Sequence, residues 1–299
     1  MAYTSGDTIL DNHYNDFATS VNAIWGSGSG DSGYGQTDTV ASVSAGATIS
    51  ASQWTTLLAR ISSAASHQSS SITSITNPSA GDTISAYTAL AGNITTITNN
   101  KLNVHARDAI VESNCSTTTS LTGTIEQRGT WSWGSEDQAR YFFNAGGRLR
   151  IRWDISSYTS DNKANAWNDL AGQCGNYYIN AQSSGKSGGS GSANINDTNK
   201  GWHDLSGSYQ TVFRQYEDTG PYTANYIMLE LYKTGGDVLF RSKWVDDAAD
   251  QTSWNKSVYN VQDQTDGTKQ TFFGHEEPTT TYIADTWGNG PSQTVNANG

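Results

Sequence analysis

Charge is scarce in this chain. Asp, Glu, Lys and Arg make up 15% of its 299 residues, against about 25% in ordinary soluble domains. What charge there is leans negative, 28 acidic against 17 basic residues for a formal net charge of -11. Such a surface repels nucleic-acid phosphate and anionic lipid, which excludes both as non-specific partners. Proline is equally sparse, four residues in all, and that argues against a Pro-rich disordered linker. Only two cysteines occur, Cys115 and Cys174. They lie far apart with no C-x-x-C and no neighbouring His, so they carry no metal signature. Spacing leaves a single disulfide and two thiols both open, and the compartment rule favours two buried thiols. No apolar run approaches the ~20 residues of a membrane span. The opening residues, Met1-Ala-Tyr-Thr-Ser-Gly-Asp7, lack the basic and apolar regions of a secretory signal, so the expectation is a protein made and folded in a cytoplasm.

Polarity is supplied instead by Ser, Thr, Asn, Gln and Gly. A surface poor in charge suits packing against copies of itself, because every charge removed from water must be compensated. Aromatics reach 11%, with ten Trp, enough apolar area to offset the entropy of ordering.

The most informative pattern is an internal repeat. Tyr3-Thr-Ser-Gly-Asp-Thr-Ile9 is echoed by Val43-Ser-Ala-Gly-Ala-Thr-Ile49 and by Pro78-Ser-Ala-Gly-Asp-Thr-Ile84. Each copy precedes a run of helical period: Tyr14, Phe17, Val21 and Ile24; then Trp54, Leu57, Leu58, Ile61 and Ala65; then Leu90, Ile94, Ile97 and Leu102. Gly6, Gly46 and Gly81 permit a tight turn, and Asp11, Ser50 or Ser52, and Ser85 are candidate N-caps. The stripes are narrow and the opposite faces are Thr, Ser and Asn, so isolated helices of this kind are marginal. Two ways of burying the stripes follow: an intramolecular bundle, or self-association as a stem. The thin stripes favour the second, with Tyr14, Phe17, Trp54, Leu58, Ile61, Leu90, Ile94 and Ile97 as the assembly interface. The Gly/Ser-rich stretch 26–36 reads as flexible coil.

Beyond residue 104 the period changes. Arg148-Leu-Arg-Ile-Arg-Trp153 alternates, with Leu149, Ile151 and Trp153 on one face. The runs 226–232 and 237–244 alternate likewise, and Lys233-Thr-Gly-Gly236 between them is a hairpin signal. Further candidate strands are 123–133, 177–182, 209–216, 270–273 and 279–284. Asn144-Ala-Gly-Gly147 reads as a second hairpin turn, joining Tyr141-Phe-Phe143 to the Arg148 strand. The expected fold class is α+β: a helical repeat stem over 1–104, then an antiparallel β-sandwich, jelly-roll-like, over 105–299.

Catalytic signatures are missing. Ser184-Gly-Lys-Ser187 falls short of a phosphate loop because Asn180 stands where the first Gly belongs, and the stretch reads as a surface loop. His275-Glu276-Glu277 lacks the second His of a zinc helix and is followed by Pro278, so it reads as a solvated loop. Asp246-Asp247 and Glu276-Glu277 are acid pairs of the kind glycosidases use, but adjacent acids more often form a solvated face. No catalytic residue, metal ligand or cofactor is assigned. Aromatics in polar, loop-like surroundings offer rigid contact area for a ligand, which marks Trp167, Trp202, Trp254 and Trp287 as candidates, while Trp153 and Trp244 are assigned to the core.

The repeats resemble the N-terminal repeats of structural proteins of marine and cyanobacterial tailed phages. Ser44-Ala-Gly-Ala-Thr-Ile-Ser-Ala-Ser-Gln-Trp-Thr-Thr-Leu-Leu58 carries the resemblance most clearly, and Arg140-Tyr-Phe-Phe-Asn-Ala-Gly-Gly-Arg-Leu-Arg150 is similar to a segment of such proteins. Ala47 departs from the Asp of the other two copies. The resemblance implies a non-enzymatic virion protein of the tail, neck or a fibre, by analogy a homotrimer. Its implied partners are other tail or neck proteins and a host-surface glycan. Two other functions remain open beside it, a glycan-binding receptor module and a glycan-degrading enzyme.

Overall fold

The computed structural model describes residues 10–79, 86–248 and 265–298. The chain divides into two compact units. One comprises residues 1–108, 140–147 and 277–289; the other comprises 109–139, 148–276 and 290–299. The expected boundary at 104/105 compares with a first unit that reaches Asp108 and also takes in two later segments. The first repeat copy and most of the third lie outside the described residues.

In the first unit, α1 (Asp11–Trp25), α2 (Ala51–His67) and α3 (Tyr87–Asn99) pack against one another in all three pairings. The second repeat copy shows how the unit starts a helix. Gly46 turns the chain at φ 74, and Ser50 then forms a reciprocal capping box with Gln53. Asp11, expected as a cap, is instead the first helical residue, and its carboxylate accepts a bond from Gly46 N.

The apolar stripes meet one another within a single chain. Tyr14, Phe17, Trp54, Ile61, Leu90, Ile94 and Ile97 are all buried, and Leu58 is half-buried. Tyr14 meets Trp54 edge-on at 5.6 Å and Phe17 meets Tyr87 at 5.1 Å. This corrects the assembly interface inferred from these residues. Three thin stripes suffice when each is shared by two neighbours, so the intramolecular bundle is the arrangement the sequence adopts.

The stretch 26–36 corrects a second expectation, because it is held and not flexible. Four glycines there, Gly28, Gly30, Gly33 and Gly35, adopt positive φ. That lets the loop turn its carbonyls toward fixed donors. Arg140 donates to Ser32 O and Ser27 O, and Asn144 Nδ2 to Gly30 O at 3.1 Å. Lys101 grips Asp31 and the Ser32 hydroxyl. Tyr34 is fully buried and its hydroxyl donates to Lys101 O at 2.6 Å. Composition reads Gly as freedom, whereas here it permits a specific path.

The second unit holds eleven strands among its described residues. They are β1 (Val111–Thr117), β2 (Thr124–Ser132), β3 (Arg148–Ser156), β4 (Asn176–Ile179), β5 (Ser184–Ser187), β6 (Ile195–Asn196), β7 (Gln210–Tyr216), β8 (Tyr226–Thr234), β9 (Asp237–Val245), β10 (Thr268–Glu276) and β11 (Ser292–Asn298). They form two antiparallel sheets, ordered β1-β10-β3-β4-β5 and β11-β2-β9-β8-β7-β6. The hairpin expected at 233–236 is present, with Thr234 opposite Asp237. The alternation read in β3 and β9 is also present: Leu149, Ile151, Trp153, Phe240 and Trp244 are buried.

The two sheets exchange side chains through a polar seam. Trp153 Nε1 donates to Ser242 Oγ at 2.8 Å. Thr271 Oγ1 lies 2.6 Å from Gln127 Oε1 and 2.9 Å from Ser242 Oγ. One hydroxyl proton serves one of these, and the Ser242 hydroxyl supplies the other. Around the seam pack Trp131, Phe240 and Phe273, with centroids 4.9–5.4 Å apart. Gly129 admits the Phe240 ring where a Cβ would lie 2.4 Å from it.

Two helices appear where helices were not expected. α4 (Glu136–Asn144) replaces the expected strand 141–143, and the division between the units falls within it. Glu136 and Asp137 complement its N-terminal dipole. The Asn-Ala-Gly-Gly run ends it: Gly146 takes φ 96 and Gly147 N–H returns to Phe142 O. A helix stop and a hairpin turn share this signature. α5 (Asn162–Cys174), capped by Asp161 on Ala164 N, contacts β3 of one sheet and β7 and β8 of the other. The expected strand 279–284 is turn and bend, and Gln36 holds Ala284 there by two amide bonds.

Candidate functional site

Three of the four aromatic candidates are not presented to solvent. Trp167, Trp202 and Trp287 are each 1–2% exposed, and Trp254 lies outside the described residues. Trp167 sits on the inner side of α5, 6.0 Å from Trp244. Lys233 lies over the Trp202 ring at 4.1 Å, and Trp287 Nε1 donates to Glu277 Oε2 at 2.9 Å. Polar neighbours in sequence misled, because a 13-residue helix rich in Asn and Asp on its outer side still buries its Trp.

The other sequence candidates are structural too. Ser184–Ser187 is a strand. His275 and Glu276 belong to β10, not to a loop: His275 is buried with Nδ1 2.7 Å from Gln293 Nε2, and Glu276 pairs with Arg148. Asp246 is not solvated, since it makes a 2.7 Å ion pair with Lys163 in which both side chains are about 5% exposed or less. Cys115 and Cys174 are free and buried, and burial pushes the Cys115 thiol up to about 12.

One constellation stands out among the described residues, and the sequence did not reveal it. Asp169, on the outer side of α5, meets Glu217 and Asp218, which follow β7. One carboxylate oxygen of each lies within 4.8 Å of the others. Asp169 and Asp218 are exposed, but Glu217 is 3% exposed. Its Oε1 accepts from Thr219 N at 3.1 Å, while its Oε2 is buried with no hydrogen-bond partner.

A chain of amides fixes the floor of this cluster. Lys186 Nζ donates to Gln215 Oε1 at 2.8 Å, Gln215 Nε2 to Gln173 Oε1 at 3.3 Å, and Gln173 Nε2 to Asp169 Oδ2 and Asp218 Oδ1 at 2.8 and 2.9 Å. The lysine can only donate, so the orientation of both amides is determined. Burial lifts the Glu217 carboxyl to about 7, the Asp169 and Asp218 carboxylates add to the lift, and the Thr219 bonds oppose it. Beside the cluster opens a cavity of about 280 Å³ lined by Asn162, Asn165, Ala166, Asp169, Thr219 and Tyr222. Of the three acids only Asp169 lines it, so the cluster does not offer that cavity the carboxylate pair a glycosidase needs.

Chemically the three acids provide hard oxygen donors converging on one point, and one of them exchanges protons near neutrality. The only signal in the sequence was the adjacent pair Glu217-Asp218, and its partner Asp169 is brought in by the fold from a different element. No family model matches the chain, and no curated protein or solved structure matches it either.

Proposed function

We propose that this chain is a non-enzymatic structural component of a tailed-phage particle, in the tail, neck or a fibre. The observation that carries this reading is the repeated unit that resembles such proteins. Its copies stand directly before α1, α2 and α3, and the copy at 43–49 is a Gly turn leading into a capped helix. In this reading the three-helix unit is the attachment module, docking onto other tail or neck proteins. The protein acts as a homo-oligomer, by analogy a trimer, whose copies meet through surfaces other than the three buried stripes.

The finer description of the second unit, a jelly-roll-like sandwich, belongs to the same proposal. It is supported by the nesting of early strands beside late ones, β1 against β10 and β2 against β9, with consecutive strands β1 and β2 in different sheets. Peptides of this chain are expected at constant ratio to the other tail proteins in density-banded particles of the phage that encodes it. A chain abundant in infected cells but absent from such particles contradicts the reading.

A second reading, host-glycan attachment, is favoured by one observation. The outer face of the six-stranded sheet carries two half-buried tyrosine pairs, Tyr209 with Tyr232 at 4.6 Å and Tyr216 with Tyr226 at 5.0 Å. Arg241 and Arg214 lie over them at 4.4 and 5.1 Å. Aromatic rings beside guanidinium groups suit an acidic sugar. Tyr232→Ala is expected to weaken binding to host envelope polysaccharide at least tenfold; equal binding by variant and parent removes this reading.

A further inference from the structure

We propose that Asp169, Glu217 and Asp218 form a binding site for a divalent calcium ion that completes the second unit. The proposal is independent of the virion reading. Its starting point is an imbalance of buried charge. Glu112 is held by Arg150 and Arg152, Glu230 by Arg241 and Lys243, and Asp246 by Lys163. None of Asp169, Glu217 and Asp218 makes an ion pair among the described residues, although Glu217 is as deeply buried as any acid there. Elsewhere this protein neutralises a buried carboxylate with a side-chain cation. Here three carboxylates converge with no cation in contact among the described residues, and Lys186 reaches them only through two amides.

The geometry fits an ion. Oxygens that each sit about 2.4 Å from one calcium ion lie at most about 4.8 Å apart, which is the separation the three acids satisfy. The free Glu217 Oε2 is a ligand atom with no other use in the fold. Gln173, 2% exposed, holds one oxygen of each aspartate from behind, an arrangement that orients ligands as an outer shell does. The set is all oxygen and all anionic, which disfavours zinc and copper, whose sites use nitrogen and sulfur. Calcium accepts an irregular shell with several waters, whereas magnesium demands an octahedron. The adjoining cavity at Asp169 gives water and the ion a path in.

The test uses the full-length chain, stripped with EDTA, dialysed, and titrated with CaCl₂ by calorimetry with thermal melts alongside. One ion per chain is expected, and a rise in melting temperature of roughly 5 °C at a hundredfold excess over Kd. Asp169→Asn, at an exposed position, is expected to weaken binding at least tenfold while melting in EDTA within a few degrees of the parent. Glu217→Gln is expected to abolish the calcium response, yet to melt in EDTA at pH 8 no lower than the parent, because an unpaired buried charge has been removed. The proposal is overturned by no heat and no melting shift at about 10 mM calcium, above the weakest known calcium modules. It is overturned equally by unchanged binding in Asp169→Asn. Equal affinity for magnesium overturns the assignment to calcium.

Discussion

Lys269 shows what a single side chain does for the second unit. It is fully buried, and its ammonium donates to the carbonyls of Thr265, Asp266, Gly267 and Thr119 at 2.6, 2.9, 3.1 and 3.1 Å. Burial lowers its pKa to about 8, so it stays charged at neutral pH. Lys269→Met removes the cation those carbonyls share, leaving Thr265 O with Leu121 N alone, and is expected to cost about 2–4 kcal/mol in urea unfolding. His67 acts in the opposite sense in the first unit. Its ring is fully buried and bonded through Nε2 to Ala145 O, and burial lowers its pKa to about 4. Between pH 6.5 and 4 the unfolded chain takes up a proton that the folded ring refuses. Stability of the first unit therefore falls as pH drops through that window, by up to about 3 kcal/mol, with no further loss from this group below pH 4. Hydrogen exchange of the α2 amides at pH 7 and 4.5 measures this, and His67→Gln is expected to flatten the difference. Neither role was legible in the sequence, where Lys269 and His67 are isolated residues in polar company.

The helices use side-chain amides as if they were backbone. Asn15 bonds both ways with Val43, Asn22 with Val40, and Asn93 with Thr73, each pair of bonds at 2.8–2.9 Å. Each clamp ties an extended segment to a helix, so the polar faces that looked too weak for an isolated helix are themselves contact faces. Asn93→Ala removes both bonds between a buried amide and the Thr73 backbone and is expected to cost about 2 kcal/mol. Gly33→Ala tests the loop over 26–36: at φ 101 with its Cβ 2.3 Å from Ser27 O, an alanine there is expected to cost at least about 2 kcal/mol. Equal urea midpoints for parent and variant count against either account. The helical stripes and the alternation of β3, β8 and β9 were readable because burial follows a simple period. α5 was hidden because its outer side is Asn and Asp, and α4 because Gly-Gly marks both a hairpin and a helix end.

For the chain as a whole, the order of helices first and strands later was visible in the change of period near residue 104. The division into units was not, because residues 140–147 and 277–289 join the first unit through contacts that depend on tertiary structure. The acidic cluster was hidden for the same reason: α5 and the end of β7 meet only once the sheets have formed. Among the described residues no helix is long and apolar enough to cross a membrane, and the net charge of -11 predicts retention on an anion-exchange resin and none on immobilised DNA at physiological salt. The reading as a particle component rests on the repeats that precede each helix in the sequence, and position within the particle tests it most directly. Immunogold labelling of purified particles with antibody against this chain is predicted to place gold at the tail, neck or fibres. Particles that stay unlabelled, or carry gold over the capsid alone, would contradict it.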